Sequence, residues 1–132
     1  MKYLLDTHVW IWWHTQPHKL SDTVHSIIAD PINFEELLLS TISIWEFCKL
    51  IEKGRISISS NPLKWIENGL DMFGLRLISL SPSIAYRSTI LEQPFHNDPA
   101  DQIIVATGKE ESAIILTKDN RILDYSHVHS LW

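Results

Sequence analysis

Asp98-Pro99-Ala100-Asp101-Gln102-Ile103-Ile104-Val105-Ala106, with Ala113-Ile114-Ile115-Leu116-Thr117 close behind it, is the stretch whose reading decides the fold. Asp98 is a strong helix N-cap, and Pro99 suits the first helical position because its missing N–H would have no intrahelical partner there. The pattern predicts a helix running to about Glu110. The short apolar run Ala113–Thr117 then reads as a buried strand. The same alternation extends outward. Lys2–Asp6 is strand-like and precedes a helical stretch at His8–His14. Ser21 is a good N-cap for a second helix, and Leu37–Thr41 is a second strand. Ser43-Ile44-Trp45-Glu46 has the form of a capping box and predicts a helix to about Lys53, stopped by Gly54. Asn61-Pro62 opens another helix. Arg76–Leu80 reads as a strand, Ser81-Pro82 opens a helix to about Glu92, and Gln93–Asn97 is a loop. Asp119–Leu123 is one helical turn and His127–Leu131 a last strand. Strands alternating with helices indicate an α/β fold with a mainly parallel sheet, in a chain of one domain's length.

The 132 residues are 45% hydrophobic and 20% charged, the balance of a globular protein able to bury a core. A single cysteine, Cys48, excludes an intrachain disulfide. The apolar N-terminus is interrupted by Asp6 and His8, and no run approaches the ~20 apolar residues of a membrane span. The expectation is a cytoplasmic protein with no membrane partner. The seven histidines are scattered, which does not suggest zinc. A formal net charge of −5 counts against simple backbone binding of nucleic acid. Carboxylates collected in one metal-binding site would give the same sign.

Four acids fall where such a collection is expected. Asp6 ends the first strand, Glu46 lies in the first turn after the second, Asp101 lies in the first turn after the 93–97 loop, and Asp119 follows the Ala113–Thr117 strand. Carboxyl ends of parallel strands and the N-termini of the helices that follow them share one sheet edge, where ligands bind in open α/β folds. Crowded carboxylates need a shared proton or a divalent cation, and hard oxygen donors suit magnesium or manganese. Such sites commonly serve phosphoester hydrolysis. Structural roles compete for each acid: Glu46 fits a capping box, Asp98 an N-cap and Asp119 an ordinary turn.

Leu4-Leu5-Asp6-Thr7-His8, Ser43-Ile44-Trp45-Glu46, His96-Asn97-Asp98-Pro99-Ala100-Asp101-Gln102 and Leu116-Thr117-Lys118-Asp119, in this order and across nearly the whole chain, resemble the PIN-domain ribonucleases, specifically the VapC-type toxins. The resemblance implies a single PIN domain over 1–132 with a three-layer α/β/α fold around a mainly parallel sheet. It implies endoribonuclease activity with Mg2+ or Mn2+. Asp6, Glu46 and Asp101 would be the core acidic ligands and catalytic residues, Asp119 a more variable fourth, and Asp98 an additional acid at the metal site. Thr7, Ser43 and Thr117 match the small hydroxyl residues that support the acids. The resemblance also implies an RNA substrate, a VapB-like antitoxin partner and a homodimer. Two positions depart from the common pattern. Many relatives carry Arg where this chain has Gln102, and a small residue where it has Asn97.

Lys49, Lys53, Arg55, Lys118 and Arg121 flank the acids and are candidates for guiding an RNA backbone. Trp10, Trp12 and Trp13 are expected in the core or an interface. A haloacid-dehalogenase-type phosphatase would need a second Asp two residues after Asp6, where His8 stands. A nucleotide-binding module would need a glycine-rich loop, and the chain has only four glycines. An inactive scaffold that keeps the acids is the remaining alternative.

Overall fold

The computed structural model describes residues 1–72 and 74–132, with the side chains of Pro31, Phe34, Glu35 and Met72 left out of the description. Its elements run β1 (Tyr3–Leu5), α1 (Thr7–Thr15), α2 (Asp22–Ala29), β2 (Leu37–Ser40), α3 (Thr41–Glu52), α4 (Pro62–Met72), β3 (Arg76–Ile78), α5 (Pro82–Ser88), α6 (Pro99–Glu110), β4 (Ile114–Leu116), α7 (Asn120–Leu123) and β5 (Ser130–Leu131). The strands form one parallel sheet in the order β3-β2-β1-β4-β5.

The leucines and isoleucines of the central strands β1, β2 and β4 divide between two cores, because successive side chains point to opposite faces. Leu4, Leu38 and Ile115 face a core shared with Ile84 of α5, Ile104 and Val105 of α6, Ile122 of α7, Phe95 and Tyr125. Leu5, Leu37, Leu39 and Leu116 face the other, with Val9 and Trp10 of α1, Val24 and Ile28 of α2, Phe47 of α3 and Ile66 of α4. Burial on both faces explains why these strands are continuously apolar and do not alternate. The result is the expected three-layer α/β/α arrangement.

Local chemistry sets most boundaries. Ser21, Asn61, Ser81 and Asp98 cap the helices that follow them, as expected, each accepting backbone N–H groups of the first turn. Gly54 ends α3 with φ 69°, a conformation open to glycine without a Cβ penalty. The capping box expected at Ser43-Glu46 does not form. Ser40 is the cap of α3, accepting from the Ile42 N–H, so the helix starts at Thr41 and Glu46 lies in its second turn. Several elements are shorter than expected: β1, β2 and β4 lose one or two end residues, α5 stops at Ser88, β3 at Ile78, and β5 holds only Ser130 and Leu131.

The tryptophans of α1 divide between environments. Trp10 is fully buried, packed edge-on to Phe47 and Trp65 at ring distances of 5.6 and 5.4 Å. Trp12 and Trp13 are half-buried. No helix of the described residues is long and apolar enough to cross a membrane.

Candidate active site

Strand order reverses across β1, with β2 and β3 on one side and β4 and β5 on the other. A doubly wound sheet opens a crevice at this switch, outside the carboxyl ends of its strands. Asp6 follows β1, Thr117 and Asp119 follow β4, and Asp101 stands in the first turn of α6. Contact between α3 and α6 brings Glu46 to the same edge.

Each acid is held in place. Asp6 is almost fully buried; its Oδ2 accepts from Thr117 Oγ1 at 2.6 Å and its Oδ1 from the Thr7 backbone N–H at 2.8 Å. Thr117 Oγ1 in turn accepts the Asp119 N–H at 3.0 Å, so one hydroxyl ties the first acid to the last. Thr7 Oγ1 donates to Glu46 Oε1 at 2.5 Å and lies 2.9 Å from Ser43 Oγ. With the Thr7 proton on Glu46, Ser43 is the donor to Thr7. The supporting hydroxyls expected at 7, 43 and 117 therefore do touch the acids or one another.

Asp98 faces two ways. Its Oδ1 accepts from the N–H groups of Ala100 and Asp101 at 3.0 and 3.3 Å, which makes it the N-cap of α6. Its charge still reaches the cluster, where it helps raise both Glu46 and Asp101. Burial is the largest cause of the rise at Asp101, followed by repulsion from Asp6, Asp98, Asp119 and Glu46, and the carboxyl is pushed up to about 7. Burial also raises Glu46, with Asp6 and Asp98 adding to it against the Thr7 hydrogen bond. Asp119 is the exception. Its burial works upward, but the hydrogen bonds and charge of Arg121 outweigh it and hold the carboxyl below its ordinary value.

Two residues close the site on the α7 side. Arg121 donates to Asp119 through its backbone N–H at 2.8 Å, Nε at 3.2 Å and Nη2 at 2.9 Å, and the same Nη2 donates to Asp101 Oδ2 at 3.2 Å. His96 Nδ1 accepts the Asp98 N–H at 3.2 Å, which places the ring proton on Nε2. That nitrogen stands 3.2 Å from Asp101 Oδ2, without the alignment of a full hydrogen bond. Sequence reasoning missed the role of His96, which shows there only as a loop residue of the Asp98 motif. Gln102, in the place of an expected Arg, donates to the His96 carbonyl at 3.0 Å and so braces the loop that carries this histidine.

A cleft of about 370 Å3 leads away from Glu46 and Asp98, lined by Trp45, Lys49, Lys53 and Arg55. A second, of about 500 Å3, lies beyond His96 and Arg121 against Phe95, Tyr125 and His127. Glu46 and Asp98 line the first cleft, and His96 and Arg121, which contact Asp101, line the second.

A family model described as the PIN domain matches residues 3–128. The chain belongs to the PIN-domain family. Ribonuclease VapC22 of Mycobacterium tuberculosis is 33% identical over 124 residues, covering 94% of this chain and 92% of that protein. The PIN fold is also seen in a DNA-bound VapBC from Salmonella typhimurium, at TM-score 0.70 and 16% identity over 99% of this chain and 97% of that one. A toxin–antitoxin complex from Klebsiella pneumoniae matches at TM-score 0.69 and 20% identity, covering 99% and 97%.

The donor set of this PIN domain fits a hard divalent cation. It is all carboxylate oxygen, and burial together with mutual repulsion has lifted Glu46 and Asp101, a cost that a cation relieves. As the side chains stand, no three His, Cys, Asp or Glu groups among the described residues are gathered closely enough to hold an ion. Glu46 is turned to Thr7, and Arg121 spans Asp101 and Asp119.

Proposed function

We propose that this PIN domain is an endoribonuclease that hydrolyses RNA phosphodiester bonds with Mg2+ or Mn2+, and that it is the toxin of a toxin–antitoxin pair. The observation that carries this reading is the convergence of Asp6, Glu46, Asp101 and Asp119, from four separate segments, on the switch point of the sheet. The likeness to a ribonuclease over almost the whole of both chains supports the choice of RNA.

Asp6 and Asp101 are the principal metal-holding residues in this reading, with Glu46 and Asp119 completing the set. The cation supplies charge neutralisation at the scissile phosphate and a more acidic bound water. Thr117 fixes Asp6, and Thr7 fixes Glu46 at Oε1. In this reading Glu46, held at Oε1, has Oε2 left to take a proton from the attacking water, and its raised pKa suits that work. Asp98 acts mainly as the helix cap that sets the backbone of Asp101. Its negative charge adds to the attraction for a cation without requiring direct coordination. His96 Nε2 stands beside Asp101 Oδ2 at the edge of the cluster. The RNA strand follows the cleft of Lys49, Lys53 and Arg55, where phosphates meet cations and the half-exposed Trp45 offers a face for a base.

The partners follow the same reading: a VapB-like antitoxin and a second copy of the chain. The experiment is cleavage of a mixed RNA pool by purified, antitoxin-free protein, with magnesium, with manganese and with chelator, beside Asp101→Asn. Metal-dependent cleavage that disappears in the variant is the expected result. A folded protein that binds RNA and cuts none of it with any metal would replace this reading with that of a binding scaffold.

A further inference from the structure

By sequence, Arg121 is one of several cations that flank the acids. Its position in the fold is more specific. Its guanidinium is the positive group in direct contact with both Asp101 and Asp119, and the contact is forked, with Nη2 shared between one oxygen of each acid. We propose that Arg121 is the built-in counter-ion of the carboxylate site: it occupies Asp101 and Asp119 in the metal-free protein and must leave them for a divalent cation to enter. This rests on the reading of these acids as the cation's ligands.

Three observations support the exchange. Asp101 is packed against other acids, and its Oδ2 takes a charge-assisted hydrogen bond from Arg121 Nη2 in the place where a cation would sit. The two ends of the contact differ in freedom. The side chains of Asp101 and Asp119 are 11% and 19% exposed, whereas that of Arg121 is 58% exposed and can withdraw into water at small cost. A guanidinium stays charged at every accessible pH, so Arg121 leaves the two acids as a cation and a divalent cation can take over its role there. The oxygens shared by its Nη2, Asp101 Oδ2 and Asp119 Oδ2, are hard donors of the kind a magnesium ion takes. Metal affinity is therefore reduced by whatever fraction of the protein holds the arginine in place.

The test is direct binding of Mg2+, with no cleavage measured. Calorimetric titration of the full chain is expected to show Arg121→Gln binding Mg2+ about fivefold to tenfold tighter than wild type, since the variant has no exposed charge-assisted hydrogen bonds to give up. Arg121→Lys keeps the charge but cannot bridge two carboxylates as a fork, and is expected to bind about threefold tighter. Lys118→Gln, which removes a charge whose ammonium lies over the Trp12 ring, is the control for long-range field and should change affinity less than about twofold. In 15N-labelled protein the Arg121 Nε–H resonance, assigned by its absence in Arg121→Gln, should shift in step with the Asp101 amide as Mg2+ is added.

Equal affinity in wild type and Arg121→Gln would overturn the proposal, as would an Arg121 resonance unmoved at saturating Mg2+. Arg121→Lys matching wild type while Arg121→Gln binds tighter would also overturn it, reducing the effect to net charge. Failure of wild type and Arg121→Gln alike to bind Mg2+ would instead remove the metal-dependent reading on which the proposal rests.

Discussion

Asp101→Asn should make the metal-free protein more stable while disabling its site, and the gain should depend on pH in a defined way. The unfolded chain releases the Asp101 proton near 3.8, whereas burial and the surrounding acids delay release in the folded protein to about 7. Between these values the folded state holds a proton that the unfolded state has released, so rising pH favours unfolding. The penalty is absent below pH 3.8, grows up to about 7 and is constant above. The interval corresponds to a ceiling of about 4 kcal/mol. Relaxation and water entry lower such penalties, so about 2 kcal/mol is expected. Asn keeps the shape and can still accept from Arg121 Nη2, which isolates the charge as the variable. Urea unfolding of both proteins in chelator at pH 4 and pH 8 measures it. The advantage of Asp101→Asn should be about 2 kcal/mol larger at pH 8, or roughly 4–8 °C in Tm. The same advantage at both pH values, or a variant less stable at pH 8, would refute the argument that this carboxylate is held ionised against its environment.

Other outcomes follow from single contacts. Thr117→Val removes the hydroxyl that donates to buried Asp6 and accepts from the Asp119 N–H; chemical denaturation at pH 7 should show destabilisation by about 2–3 kcal/mol. Gly108→Ala should destabilise by about 1 kcal/mol by the same assay, although Ala is the better helix former, because its Cβ would lie 2.9 Å from Cγ1 and Cδ1 of Ile115, a fully buried neighbour. Lys53→Gln with Arg55→Gln should weaken RNA binding by the Asp101→Asn protein about equally across sequences. It should also reduce the salt dependence of that binding by about one ion for each cationic side chain removed, read from the slope of affinity against salt.

The parts of this fold that were legible in the sequence are those decided within a few residues. Asp98-Pro99, Ser81-Pro82 and Asn61-Pro62 announce helices because cap and first-turn chemistry are local, and Ala113–Thr117 reads as a buried strand because the run is apolar on both faces, with Ile114–Leu116 paired in the sheet. The error at α3 has a physical origin. Ser40, Thr41 and Ser43 are all competent caps, and β2 runs into the helix with no loop between them. The choice is made by the pairing of Ser40 with Ile78 on β3, which no local pattern contains. The acids at 6, 46, 101 and 119 could be grouped from element order alone, since parallel topology sends them to one edge. What joins them could not. The reach of Arg121 to Asp101 depends on how α7 sits against α6, and the tautomer of His96 depends on the turn into Asp98.

The central place of β1 has a consequence for the order of events as the chain folds. Asp6 is made more than a hundred residues before Thr117, whose hydroxyl fixes it, and the Thr117 N–H is bonded to the carbonyl of Leu131 on β5 at 3.0 Å. A nascent chain that has emerged only as far as α6 carries Asp6, Glu46, Asp98 and Asp101 but lacks the strand that flanks β1 on one side. At synthesis rates of ~5–20 residues per second, that interval is short but real. The cluster is therefore complete only once β4 has paired with β1 and Thr117 has reached Asp6, so its assembly follows closure of the far edge of the sheet.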